Sequence, residues 1–107
     1  MGTDADPALD DLVDGFAAEL GDVSAVPRDG SVGWERDGIE FARVSASALE
    51  VRLPEDIAAA ALRTLDTAPM AGERGWIRFT PSSDECHVAD RAEAWFYTAW
   101  RRALDAG

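Results

Sequence analysis

The segment that decides the fold runs from residue 32 to residue 53 and reads VGWERDGIEFARVSASALEVRL. Near its middle, Asp37 and Gly38 favour a tight hairpin turn, because glycine tolerates the positive φ that such turns require. Stretches of alternating apolar and polar residues lie on both sides of the turn, and a third follows at residues 49–53. The segment therefore predicts three antiparallel strands joined in a meander.

Helical patterns lie on both sides of the meander. Apolar residues recur at three- and four-residue spacing from Leu9 to Leu20, which predicts an amphipathic helix. Pro54 followed by two acidic residues predicts the start of a second helix, and the apolar spacing of residues 88–104 predicts a third. Residues 76–80 alternate again and predict one more strand.

These elements predict a single α+β domain covering residues 1–107, with residues 1–6 flexible. We expect two layers, in which an antiparallel sheet of about four strands is packed by helices. The predicted order is α-(β)-β-β-β-α-β-α, where the bracketed strand is residues 23–26. Simple alternation along the strand after the turn places Ile39, Phe41 and Arg43 on one face, and Glu40 with Ala42 and Val44 on the other.

The charge of the chain is unusual. It has no lysine, its ten positive side chains are all arginine, and 21 aspartates and glutamates give a formal net charge of −11. At molar salt the Debye length falls to about 3 Å, so the repulsion between these acids would be screened. We therefore expect a protein of an extreme halophile, with salt-dependent stability. The alternative is a GC-rich genome that favours Arg, Ala, Gly and Asp codons.

Few side chains can carry out covalent chemistry. Without lysine, neither a Schiff base nor a P-loop can form. The single cysteine, Cys86, cannot form an internal disulfide, and Cys86 beside His87 does not make a structural zinc site. The two side chains could act as nucleophile and base, but neighbouring side chains diverge on a strand or a helix. We expect no cofactor, no metal and no catalytic residue, and we favour a protein that is not an enzyme.

Composition also bears on location and partners. No apolar run approaches the roughly 20 residues that span a bilayer, and residues 1–7 lack the basic start and apolar core of a secretory signal. We therefore expect a cytoplasmic protein with no membrane segment. Acidic surfaces repel the phosphate backbone, so nucleic acid is disfavoured as a partner. Binding it would require a continuous surface built from Arg74, Arg78, Arg91, Arg101 and Arg102.

One candidate ligand site lies on the predicted sheet. Period-two spacing can place five charged side chains on one exposed face: Glu40, Arg43, Glu50, Arg52 and Arg78. Either Trp34 or Trp76 could act as a stacking wall beside them. Convergent arginines recognise a carboxylate or a phosphate. The alternative is a lattice of cross-strand ion pairs, each worth less than about 1 kcal/mol at an exposed site.

A second candidate surface lies on the last helix. Trp95, Tyr97 and Trp100, together with Phe96, are more aromatic residues than one inward stripe can bury. Tryptophan and tyrosine are enriched at interfaces, so these residues predict a homodimer or another protein partner. The alternative is that all of them belong to the core.

Three stretches resemble known families: GIEFARVSASALEVRLPEDIAAAAL at residues 38–62, GERGWIRF at residues 72–79 and WFYTAWRRAL at residues 95–104. They resemble the small proteins named the luciferase family or luciferase domain and, more distantly, the MmcQ/YjbR-like proteins with their CyaY-like fold. The resemblance implies an α+β fold and no light-emitting chemistry. Luciferase-domain proteins often carry histidines on the strand that here holds Arg43 and Ser45. MmcQ/YjbR-like proteins have been suggested to bind DNA.

Three hypotheses for function follow. The first is a small non-enzymatic module that binds a protein or a small ligand. The alternative is an enzyme that uses Arg43, Glu50, Arg52 and Arg78 on the sheet face. The third is nucleic-acid binding, by analogy with the distant family.

Overall fold

The computed structural model describes residues 9–45, 47–64, 66–70, 72–81 and 88–106. In this part of the chain the elements are, in order, α1 (Leu9–Leu20), β1 (Ser24–Arg28), β2 (Ser31–Arg36), β3 (Ile39–Val44), β4 (Leu49–Arg52), α2 (Glu55–Ala61), β5 (Thr67–Pro69), β6 (Trp76–Phe79) and α3 (Val88–Ala106). None of the described helices combines the length and the apolar character needed to cross a membrane. The α+β class predicted from the sequence is confirmed.

The strands form one antiparallel sheet with the spatial order β1-β2-β3-β4-β6-β5. The prediction of about four strands was therefore wrong, as was the predicted order of elements. The strand missed by the sequence pattern is β5, a three-residue edge strand that contains Pro69. Three residues are too few to show alternation. The strand obtains its backbone partners from β6, and proline is tolerated there because the strand lies at the edge of the sheet.

The β2–β3 hairpin turns at Asp37 and Gly38, whose φ angles are 53° and 82°. Two successive positive φ angles suit the right-handed twist of the strands, which explains the Asp-Gly pair. Together, β2, β3 and β4 form the meander expected from residues 32–53.

A β-bulge in β3 changes which side chains share a face. Trp34 pairs with Ala42, but the next residue of β2, Glu35, pairs with Glu40, so Phe41 is an extra residue in β3. Phe41 and Ala42 are both buried. The predicted alternation was wrong here, because the extra residue shifts the period by one. Glu40 consequently lies on the same face as Arg43, and Phe41 lies with the core.

Helices α1 and α3 cover one face of the sheet, with α3 in contact with β2, β3 and β4. The α3 stripe buried against the sheet is mostly small: Ala92, Phe96, Ala99 and Ala103. Alanines let the helix approach closely, and Phe96 fills the space between them at ring-centroid distances of 5.2 Å from Phe41 and 6.1 Å from Trp34. The opposite face of the sheet, which carries Arg43, Glu50 and Arg78, is called the outer face below.

Candidate functional site

The outer face brings charged side chains of three neighbouring strands into register. Arg43 of β3 pairs with Glu50 of β4, which in turn pairs with Arg78 of β6. Arg78 Nε donates to Glu50 Oε2 at 2.9 Å, and Arg43 Nη1 lies 3.8 Å from Glu50 Oε1. Opposite charges directly across antiparallel strands stabilise the sheet.

Arg43 lies at the centre of these contacts. Its Nε donates to Glu40 Oε1 at 3.0 Å, while Nη1 and Nη2 donate to the two carboxylate oxygens of Glu73 at 3.3 and 3.2 Å. Its guanidinium carbon lies 4.3 Å from the centroid of the Trp76 ring. The hydrogen bond to Glu73 is the main cause that raises the pKa of Arg43 above its ordinary value. Partial desolvation opposes this shift, and the hydrogen bond to Glu40 adds to it. The guanidinium is therefore held charged, between an aromatic ring and carboxylates.

Gly33 leaves room for one more ion pair on this face. Arg28 and Glu40 form a salt bridge beside Gly33. A Cβ at position 33 would lie 2.6 Å from Glu40 Oε2 and 2.7 Å from Arg28 Nη1, so any larger residue would push the pair apart. The outer-face network, defined as Arg28, Glu40, Arg43, Glu50, Glu73 and Arg78, thus balances its positive and negative charges.

The predicted ligand residues are only partly brought together. Arg43, Glu50 and Arg78 are directly connected, and Trp76 is 7% exposed beneath Arg43. Arg52 pairs in register with Trp76, but no described residue forms a salt bridge with it within 4.0 Å. An added carboxylate or phosphate would have to displace Glu73 from Arg43. Between Arg43, Glu50 and Arg78 the geometry matches the cross-strand ion pairs named above as the alternative, and the ligand site stays a prediction.

An open cleft of about 410 Å³ lies between α2 and the turn that precedes β6. Its walls include Ala58, Leu62, Met70 and Trp76. None of the five predicted outer-face charges lines it. Of the outer-face network, only Glu73 lines the cleft, and Arg43 already engages its carboxylate.

A different concave surface lies between α1 and α3. This helical groove encloses about 330 Å³ and is lined by Phe16, Glu19, Leu20, Asp90, Glu93, Ala94 and Tyr97. The α1 residues are spaced i, i+3, i+4, and the α3 residues are spaced i, i+3, i+4, i+7. These spacings place each set on one face of its helix, so the groove is the seam between two helical stripes.

Aromatic contacts hold the walls of the helical groove. The Phe16 ring lies 6.2 Å from that of Phe96, which anchors the α1 wall to the core. On the α3 wall, the Tyr97 ring stacks on Trp100 at 5.6 Å with an interplanar angle of 23°. Trp100 is itself held by Arg36, whose guanidinium carbon lies 3.7 Å from the ring centroid and whose Nη1 donates to the Trp100 carbonyl at 3.1 Å. Tyr97 nevertheless stays 44% exposed.

The rim of the helical groove is acidic. Glu19 lies on the α1 side, and Asp90 and Glu93 lie on the α3 side. Across the described residues, no arginine forms an ion pair with any of these three carboxylates. The neighbouring Arg91 lies over the rings of Phe79 and Trp95 and donates to Thr64 Oγ1. The groove therefore combines apolar side chains with carboxylates that, within the described ranges, form no ion pair with an arginine.

The predicted interface residues divide between core and surface. Trp95 packs edge-on against Phe79 at 4.8 Å, and Trp100 packs against the core beneath Arg36. Of the three, only Tyr97 lines the helical groove. The sequence analysis included Phe16 and Leu20 only in the apolar spacing that predicted α1 and did not identify them as residues of a groove. Helix α1 carries two apolar stripes. The first is buried and consists of Leu9, Val13 and Ala17, and the second contains Phe16 and Leu20. An apolar face wider than one buried stripe is the signal that could have identified Phe16 and Leu20.

The arginines proposed for nucleic acid do not form one surface. Arg78 lies on the outer face, Arg74 pairs with Glu55 at 3.5 Å, and Arg101 on α3 lies 5.8 Å from the Tyr97 ring centroid. Partial burial, with a smaller contribution from Arg52, lowers the pKa of Arg102. Arg91, Arg101 and Arg102 lie on α3, away from Arg78 on the outer face, and carboxylates of described residues engage Arg74 and Arg78.

Cys86 and His87 lie outside the described residues. Within the described residues, no group of three or more His, Cys, Asp or Glu side chains could hold a metal ion.

Comparison with known proteins finds no matching family model, no matching curated protein and no matching solved structure. The resemblance to the luciferase-domain and MmcQ/YjbR-like families therefore stays a prediction.

Proposed function

We propose that this protein is a non-enzymatic interaction module that binds a partner protein through the helical groove. The observation that carries the proposal is the exposed Tyr97 ring beside Phe16 and Leu20, in a groove whose carboxylates have no arginine partner among the described residues. Aromatic side chains held rigidly in a concave site are common anchors of protein interfaces.

The outer face supports this choice by contrast. Its arginines donate to glutamates of the same chain, so binding a ligand there would first break hydrogen bonds to Arg43. In the part of the chain that the structure describes, the groove carboxylates form no ion pair with an arginine, so binding there requires no such exchange. Binding in the groove would cover apolar surface that is now exposed to water.

We further propose that the module works in the cytoplasm of a halophile. The absence of lysine and the formal net charge of −11 support this setting, because concentrated salt screens repulsion between the acids. Binding assays for the module therefore belong in molar KCl as well as in dilute buffer.

The proposal can be tested by selecting binders from a random peptide library displayed on phage, with the full chain as bait in molar KCl and, separately, in dilute buffer. Enriched peptides should bind the wild type, lose roughly tenfold or more in affinity for Tyr97→Ala, and bind Arg78→Ala unchanged. Tyr97 lines the groove, whereas Arg78 lies on the outer face and serves as the matched control.

Two results would contradict the proposal. One is a library that yields no binder in either salt condition. The other is a set of binders that tolerate Tyr97→Ala but are lost with Arg78→Ala or Arg43→Ala, which would move recognition to the outer face and favour the alternative of a ligand or substrate site there.

A further inference from the structure

The helical groove also carries information about the chemistry of its partner. We infer that it takes a short cationic segment of another protein, in which one or two apolar side chains are flanked by arginine or lysine. This inference rests on the proposed function and adds the class of partner to it.

The size of the groove limits what enters it. The α3 wall runs from Asp90 to Tyr97, seven residues along the helix, which corresponds to about 10 Å. A length of this order and a volume of about 330 Å³ suit a small apolar cluster of side chains rather than a whole domain face. The floor of Phe16, Leu20 and Ala94 is apolar, so the inserted groups should be apolar as well.

The rim determines the charge of the flanking groups. Glu19 on one wall faces the stripe of Asp90 and Glu93 on the other, so a segment lying in the groove has carboxylates on both sides. Asp90 and Glu93 are three residues apart on α3, where like charges repel each other. An arginine or lysine placed between the walls would relieve this repulsion.

A second copy of the chain suits the groove less well. Each copy has a formal net charge of −11 and no lysine, so two helical layers would approach each other with acids facing acids. A cationic segment of a different protein is steered towards the same surface instead. Part of this attraction should survive in concentrated salt, because direct contacts at a partly buried rim are screened less than distant charges.

The test uses three short synthetic peptides with the same leucine spacing and with arginine, glutamine or glutamate at the flanking positions. Fluorescence anisotropy measures their binding to the full chain in dilute and in molar KCl. The arginine peptide should bind, the glutamate peptide should not, and the glutamine peptide should bind roughly tenfold more weakly than the arginine peptide.

Two matched charge reversals separate the groove from the overall charge. Glu93→Arg changes a groove carboxylate, and Asp14→Arg makes the same change in net charge on an exposed residue of α1 outside the groove lining. We expect Glu93→Arg to weaken the arginine peptide by roughly tenfold or more and to allow the glutamate peptide to bind. Asp14→Arg should change both affinities by less than about threefold. Circular dichroism confirms that both variants are folded.

Each contrary outcome has its own meaning. If all three peptides bind alike and all are lost with Tyr97→Ala, the groove is a docking site but the inference about charge is wrong. If Asp14→Arg weakens the arginine peptide as much as Glu93→Arg does, binding is nonspecific attraction to an acidic protein and the inference is overturned. A concentration-dependent dimer of the chain alone that is abolished by Tyr97→Ala would place a second copy in the groove and also overturn it. If no peptide binds and the library yields no binder, the proposed function itself fails.

Discussion

On the outer face of the sheet, Arg43 lies among Glu40, Glu50 and Glu73, whereas along the helical groove Glu19, Asp90 and Glu93 have no arginine partner among the described residues. Both surfaces belong to one strongly acidic chain. The difference arises because the strand register places arginines opposite glutamates, while the two helical stripes bring acids together.

This difference indicates how the chain divides stability from recognition. Charges that are paired within the chain stabilise the sheet and leave few free donors for a ligand. Charges that have no such pairing add little to stability, and repulsion between them can be relieved by a partner. The outer face is therefore expected to affect folding when mutated, and the helical groove is expected to affect binding.

The largest expected effect concerns the residue that holds the helical layer on the sheet. Phe96 is fully buried and contacts Phe16, Trp34 and Phe41. Phe96→Ala should lower the free energy of unfolding by about 3–5 kcal/mol, because it removes a large side chain and leaves a cavity. Denaturant titration in molar KCl measures this loss.

Tyr97→Ala is the control for Phe96→Ala, because Tyr97 lies one residue further along α3 but is 44% exposed. It should cost less than about 1 kcal/mol. A loss as large as that of Phe96→Ala would make Tyr97 a structural residue and weaken its assignment to a binding groove.

The next effect concerns the centre of the outer-face network. Arg43→Ala leaves Glu40, Glu50 and Glu73 without their common partner and uncovers Trp76, so it should destabilise the chain by about 1–3 kcal/mol. Arg101→Ala, on the helical layer, should stay within about 0.5 kcal/mol. Equal losses in the two variants would remove the contrast between the two surfaces.

The dependence of the Arg43 contribution on pH follows from the direction of its pKa shift. The pKa of Arg43 is higher in the folded state than in the unfolded state. Its stabilisation is therefore fully present at any pH below the pKa of the unfolded state, and it is lost only as the pH rises through the pKa of the folded state. Titration of Arg43 itself should therefore leave the difference between wild type and Arg43→Ala constant around neutral pH. Urea unfolding at several near-neutral pH values checks this, and a steep change there would show that another group controls the network.

Two glycine substitutions compare the backbones of the two surfaces. Gly15 lies in α1, and a Cβ added there would have nothing within 4 Å, so Gly15→Ala should raise the free energy of unfolding by about 0.5–1 kcal/mol. Gly33→Ala should give no such gain, because its Cβ displaces Arg28 and Glu40 and weakens a pair worth up to about 1 kcal/mol. Thermal unfolding measures both changes, and a gain from Gly33→Ala would show that the Arg28–Glu40 pair adds nothing.

The smallest effect concerns single carboxylates and their response to salt. In dilute KCl, Glu93→Gln should stabilise the chain by up to about 0.5 kcal/mol, because it reduces repulsion with Asp90, and the gain should vanish in molar KCl. Glu50→Gln should destabilise the chain in both conditions, since Arg43 and Arg78 both contact Glu50. Unfolding curves across a KCl series separate the two, and identical salt responses would contradict the division of charge between the two surfaces.

Much of the fold could be predicted because it depends on local pattern. The Asp37–Gly38 turn and the β2–β4 meander follow from turn chemistry and alternation. The edge strand β5 could not be predicted, because its three residues show no alternation and its strand partner, β6, follows it only after a turn. The bulge at Phe41 could not be predicted either, since two consecutive buried residues on one face violate the period of a strand.

The candidate site was less predictable than the fold. Tyr97 could be identified as a surplus aromatic residue, but its neighbours in the groove come from α1, far away in the sequence. Arg43, Glu50 and Arg78 could be placed on one face by alternation, but Glu73 lies in a turn whose position no local pattern indicates. It is Glu73 that occupies two of the Arg43 donors and makes the outer face an ion-pair network.

The amino-acid sequence by itself determined the excess of acids, the absence of lysine, the hairpin turn and the apolar stripes of the helices, because each depends on residue identity and short-range spacing. Only the tertiary structure decided which acids form an ion pair with an arginine and which line the groove with no such pair among the residues that the structure describes. The physical reason is that ion pairing depends on distances of a few ångströms, which strand register, a one-residue bulge and the packing of α1 against α3 set together.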